Sequence, residues 1–130
     1  MKLLALSTAM LVILIQPEIS QSYLMVAQDY KASRAARDRG DYMALEIWRL
    51  LAEQSNVKGQ DAFAFIYQTG EGVAQDYVMA FVWHTIATEN GSKSARGFVG
   101  GVENTLDKIE LEEALALTKS CLKNLKSCPK

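Results

Sequence analysis

Two helix-length apolar patterns joined by a glycine-rich turn occupy residues 59–91, GQDAFAFIYQTGEGVAQDYVMAFVWHTIATENG. Phe63, Ile66 and Tyr67 recur at three- and four-residue spacing and therefore share one helix face. Ala80, Trp83, Ile86 and Ala87 make a second such stripe, with Ala80 small enough for a neighbouring helix to approach. Between the two, Gly70 and Gly72 reach positive φ cheaply, so they end the first helix and let the chain reverse. Asp76 stands where an N-cap is needed, because its carboxylate can accept the open backbone amides of the next helix. Asn90-Gly91 stops that helix, and Gly40-Asp41 repeats the stop-and-cap arrangement one unit earlier.

The same reading predicts helices over 23–39, 41–54, 60–69, 77–90 and 108–122. Asp107 opens the last of these, with Glu110 three residues on as a capping box. Its apolar side is expected to bury Leu111, Ala114, Leu115, Thr118 and Leu122. Residues 92–99 start a further helix that Gly97, Gly100 and Gly101 are expected to interrupt, since each costs roughly 1 kcal/mol relative to alanine. No period-two alternation of useful length occurs, so the expected class is all-α.

The chain also echoes itself. Asp41-Tyr42 and Trp48 return 35 residues later as Asp76-Tyr77 and Trp83. Ala44-Leu45 and Glu53 return at 36, as Ala80-Phe81 and Glu89. A period of this size marks stacked supersecondary units, most often helical pairs. One unit alone cannot bury its apolar face, so repetition implies a solenoid, and a solenoid implies a binding surface. The equivalent placement of Trp48 and Trp83 argues for packing between helices.

The turn Tyr67-Gln68-Thr69-Gly70-Glu71-Gly72-Val73-Ala74-Gln75-Asp76-Tyr77 resembles the signature of the Sel-one-like repeats, relatives of the tetratricopeptide repeats. The family pattern is tyrosine, two residues, glycine, one residue, glycine-valine, one residue, glutamine-aspartate-tyrosine, and this chain matches each specified position. Ala80 and Trp83 also stand where that family has a small residue and a tryptophan. Asp41, Tyr42, Ala44, Trp48 and residues 51–54 look like a leading repeat with a shorter turn. Residues 106–121 look like the closing helix of bacterial members. The resemblance covers residues 30–122 and implies a short right-handed α-α superhelix: about two helix-pair repeats plus a C-terminal capping helix. Two positions depart from it. Gly59 replaces an expected alanine and Ala64 an expected glycine, both small for small, so close helix packing is expected to survive.

The ends of the chain suggest where it resides. Met1-Lys2 precedes an apolar run over residues 3–15, shorter than the roughly 20 residues of a comfortable membrane span. One basic residue, a short apolar core and Gln16-Pro17 fit a secretory leader, with cleavage expected after Ser22. The alternative is an uncleaved N-terminal anchor. Cleavage leaves residues 23–130 as a single repeat domain, periplasmic or secreted, with no stable membrane span. Both cysteines, Cys121 and Cys128, lie near the C-terminus. An even count behind a leader points to a disulfide, against the alternative of two thiols. Along a continuous helix they would stand about 10 Å apart, beyond the limit near 7 Å, so the last helix is expected to end near Lys123 or Leu125.

Charge and chemistry narrow the function. Fourteen basic and fifteen acidic residues give a net charge of −1, without the basic footprint of a nucleic-acid binder. The cluster Lys31, Arg34, Arg37 and Arg39 is diluted by Asp29, Asp38 and Asp41 and reads as a solvated face. His84 is the only histidine, and no nucleophile stands at a spacing that would join it on a helix turn. Glu110, Glu112 and Glu113 diverge on a helix and suit its dipole near the start. Gly70-x-Gly72 lacks the preceding strand and third glycine of a dinucleotide loop. No catalytic residue, cofactor or metal is therefore expected.

Phe65 lies off the Phe63–Ile66–Tyr67 face, at a position that the resembled family leaves variable. In such solenoids the first helices line the concave surface, where a large apolar side chain would anchor a partner segment; the alternative for Phe65 is packing against a neighbouring helix. Asp61 and Gln68 flank it. The expected function is a non-catalytic scaffold or adaptor that binds a protein or peptide. One alternative is an envelope hydrolase acting on cell-wall peptides, because related cysteine-rich repeat proteins have been linked to penicillin-like ligands. Those carry a cysteine pair in each repeat, whereas this chain has one pair outside its clear repeat. Another alternative is a subunit of a larger assembly, a homo-oligomer included, since about three repeats are commonly needed for stability.

Overall fold

The computed structural model of the chain describes residues 42–129. The expected leader (1–22), the expected helix over 23–39 with its basic cluster, and the Asp41 cap lie outside the described residues. Within them the chain forms α1 (Tyr42–Glu53), α2 (Val57–Thr69), α3 (Tyr77–Glu89), α4 (Lys93–Glu103) and α5 (Lys108–Lys123). A short 3-10 turn, Leu125–Ser127, follows. No strand occurs among the described residues, whose fold is all-α.

Each junction has a local cause. Helix α2 starts three residues before the expected position 60, because Asn56 caps it. The Asn56 side chain accepts the Gly59 N–H at 2.9 Å. Ser55 takes φ 62° to close α1, and the Asn56 N–H then reaches the Leu51 carbonyl at 3.0 Å. Gly70 ends α2 in the left-handed region at φ 72°, donating to the Ile66 carbonyl. The Asp76 N–H returns to the Tyr67 carbonyl, while its carboxylate accepts the Met79 N–H, both at 2.9 Å. The Gln75 amide donates to the Gln68 carbonyl at 2.8 Å and braces the turn from outside.

Helix α3 is the axis of the molecule. Met79, Ala80, Phe81, Val82, Trp83 and His84 are buried in unbroken succession, followed by Ile86 and Ala87. The single stripe expected from the sequence is thus too narrow, because Met79, Phe81, Val82 and His84 are buried as well. A helix apolar all round must be wrapped on all sides, and α2, α4 and α5 each pack against it. Phe63 stands edge-on to Trp83 at 5.2 Å and to Tyr67 at 5.1 Å. Trp48 and Trp83, each the seventh residue of a helix that opens on tyrosine, are buried in one shared core.

Two expectations fail here for physical reasons. Helix α4 runs without interruption through Gly97, Gly100 and Gly101. Its Ser92 cap, which accepts the Ala95 N–H at 3.0 Å, and the burial of Ala95 and Val102 outweigh the glycine penalty. In α5 the inward side is rotated. Ala114, Thr118 and Cys121 are buried and Leu111 and Leu117 are half-buried, whereas Leu115 and Leu122 are exposed. Cys121 takes the inner position because its disulfide partner Cys128 packs against the same core. The expected capping box is present: the Asp107 carboxylate accepts the Glu110 N–H at 2.8 Å, and the Glu110 carboxylate accepts the Asp107 N–H at 2.9 Å. The helix ends at Lys123 and the tail folds back, bringing Cys121 and Cys128 to a Cα separation of 5.0 Å. Among the described residues no helix is long and apolar enough to cross a membrane.

Gly59 marks the closest approach. A Cβ there would lie 2.6 Å from Leu51 Cβ, 2.9 Å from the Ala52 nitrogen and 3.0 Å from the Leu51 carbonyl carbon. Two of those neighbours are backbone atoms of α1, which cannot step aside. The glycine that replaces an expected alanine is thus a requirement of the α1–α2 crossing. Overpacking costs about 1–3 kcal/mol and alanine regains about 1 kcal/mol of helix propensity. Gly59→Ala is therefore expected to lose up to about 2 kcal/mol in urea unfolding. Gly100→Ala and Gly101→Ala, where a Cβ meets nothing within 4 Å, are expected to gain up to about 1 kcal/mol each. A stabilising Gly59→Ala or a destabilising Gly100→Ala contradicts this packing.

Candidate partner-binding surface

Asp61, Phe65 and Gln68 are spaced four and three residues apart on α2 and so form one stripe. The structure turns that stripe toward α3 and α4. Asp61 is half-buried, and Ser92 Oγ donates to its two oxygens at 2.9 and 2.7 Å. Ser92 is also the N-cap of α4, so this contact ties the start of one helix to the next. Burial pushes the Asp61 carboxyl above its ordinary value, and the Ser92 hydrogen bond partly opposes it. Asp61 acts here as a clamp between helices.

Phe65 is half-buried and meets Phe98 of α4 edge-on, with ring centroids 6.4 Å apart. Phe98 is 39% exposed. Its inner face stacks on the His84 ring at 5.2 Å and 22°. His84 in turn lies 2.9 Å through Nε2 from Gln68 Oε1. With an amide oxygen as partner, Nε2 carries the proton, and Nδ1 is left enclosed without a hydrogen-bond partner. Burial pushes the imidazole down to about 4, so it is neutral at physiological pH. Phe65 and Gln68 are thus brought together in an aromatic ridge formed with Phe98 and His84, whereas Asp61 holds Ser92.

One ring nitrogen of His84 is used by an amide and the other is enclosed in the interior. Among the described residues no three of His, Cys, Asp and Glu converge as a metal would require. A separate cleft of about 340 Å³ opens between α1, α2 and their following turn, lined by Leu45, Glu46, Arg49, Phe63, Tyr67 and Val73. Arg49 cannot offer its charge to an anion there, because it already bonds Glu46 and Glu53 on its own helix.

Phe98 and Ser92 escaped the sequence reading. The signal was present: Phe98 follows Phe65 by nearly one repeat length, and Ser92 directly follows the Asn90-Gly91 stop. A helix was expected to start at residue 92, but with an interruption at Gly97, next to Phe98, so no helix face was assigned to that ring. Comparisons with protein-family models, with curated proteins and with solved structures find no match.

The buried imidazole fixes a sign. The folded-state value of His84 lies below the ordinary 6.5. Its stability contribution is fully present above the unfolded value and is lost as pH falls toward about 4. Between pH 7 and pH 5 the loss is about 2 kcal/mol. Asp61 shifts the opposite way, so an NMR titration of the His84 ring is the cleaner reading. The expected midpoint is near 4, and a midpoint near 6.5 contradicts a sealed ring.

Proposed function

We propose that this chain is a non-catalytic helical-repeat scaffold that binds a protein or peptide partner in the cell envelope or outside the cell. In this reading α1 to α5 are a short solenoid related to the Sel-one-like repeats, with α2 and α4 as successive first helices. The observation that carries it is the Phe65–Phe98 pair, an aromatic ridge spanning those two helices. Its outer ring is exposed and its inner side rests on the buried His84–Gln68 contact. A rigid aromatic anchor loses little side-chain entropy on binding and suits the centre of an interface. The resemblance carried by residues 67–77 supports the same reading, as does the parallel placement of Trp48 and Trp83. The Cys121–Cys128 disulfide is compatible with an oxidising compartment.

The test uses immobilised protein and an envelope extract. A Phe98→Ser variant, matched to the parent by circular dichroism and thermal unfolding, is expected to lose the proteins that the parent retains. For a partner so identified, calorimetry should show affinity weakened at least about tenfold, or about 1.4 kcal/mol. Identical proteins recovered in identical amounts by both baits would overturn the assignment.

A further inference from the structure

Helix α5 presents a second surface that the aromatic ridge does not explain. Leu115 and Leu122 are 53% and 48% exposed, although the helix buries Ala114, Thr118 and Cys121 beside them. Their seven-residue spacing puts both leucines on one line along the outer side of the helix. Single exposed leucines need no explanation, but two on one line form a seam.

The charges on this helix are segregated. Asp107, Glu110, Glu112 and Glu113, with Lys108, give its first half a net charge of −3. Lys119, Lys123 and Lys126 give the second half and the following turn +3, with no acid after Glu113. The helix dipole favours this order, but it gives no reason for two leucines between the blocks to stay in water. A surface that is acidic at one end, basic at the other and apolar between is complementary to itself when reversed.

We infer that two copies of this chain pair through α5, antiparallel about a two-fold axis between Leu115 and Leu122. In that register Leu115 of each copy packs on Leu122 of the other, an isologous contact. Glu112 of each copy stands less than one helical turn from register with Lys123 of the other, and both side chains are exposed. A parallel pair would set acid on acid and base on base. Lys119 falls near the axis, where its long stem lets the ammonium reach away from its symmetry mate. Sixteen residues make a helix about 24 Å long. A strip of that length and one helix wide buries less than the roughly 1,200 Å² of a standard interface. The dimer is therefore weak and reversible, and it draws on charge as well as on the leucines.

Sedimentation equilibrium of the purified protein tests this. The mean mass is expected to rise from monomer toward dimer between about 10 µM and 1 mM. Leu115→Glu and Leu122→Glu lie on an exposed line, so they should fold normally by circular dichroism and remain monomeric. Glu112→Lys and Lys123→Glu should each weaken association at least about tenfold, and the double exchange should restore it to within about threefold of the parent. A parent that stays monomeric throughout, a dimer indifferent to Leu115→Glu, or a double exchange no tighter than either single exchange would each overturn the proposal.

Discussion

The fold depends on the enclosure of α3. A helix that is apolar around its whole circumference cannot rest at a surface, and six consecutive buried residues from Met79 to His84 show that it does not. Three other helices exist in their places because α3 needs them there. Trp83 meets Phe63 on the α2 side, His84 meets Phe98 on the α4 side, and α5 covers the remainder. The hydrophobic effect supplies this constraint but no direction, so something else must set how the helices register.

The first turn of α2 sets that register. Gly59 lets α1 approach to a distance that a methyl group would forbid. Gln60 is fully buried, donating to the Ala52 carbonyl at the end of α1 and accepting from Asn90 at the end of α3. Asp61 accepts from Ser92 at the start of α4. Three successive residues thus reach three different helices. A buried amide with both ends satisfied specifies position, because a shifted neighbour would leave it unpaired at a cost of about 1–3 kcal/mol. At the far end, the turn with Gly70, Gln75 and Asp76 closes the α2–α3 hairpin. The disulfide then fastens the tail below α5, and its closing 3-10 turn also touches α1.

Much of this was legible in the residues, and the exceptions share a cause. The α2–α3 turn was readable because glycine and an aspartate cap have local meaning that tertiary contacts do not override. The capping box of Asp107 and Glu110, the end of α5 at Lys123 and the burial of both tryptophans were readable for similar reasons. The interruption expected in α4 did not occur because the glycine penalty is a local quantity, whereas the helix is held by the burial of Ala95 and Val102 and by packing on α3. The inner side of α5 was misread because Leu115 and Leu122 outrank Thr118 and Cys121 in hydrophobicity but not in position. Of the candidate surface, Phe65 and Gln68 were found by spacing. Phe98 was not, because its helix was expected to be interrupted at the neighbouring Gly97, and Asp61 holds Ser92. In each case the missing information was which helix lies opposite.

Native-state hydrogen exchange is the most direct measurement of the central claim. If the enclosure of α3 organises the molecule, amides 82–86 exchange only through global unfolding, with the free energy that denaturant unfolding gives. Amides in the glycine-rich α4 then open at lower cost. Exchange of the α3 amides through openings cheaper than those of α4 or α5 would contradict the account.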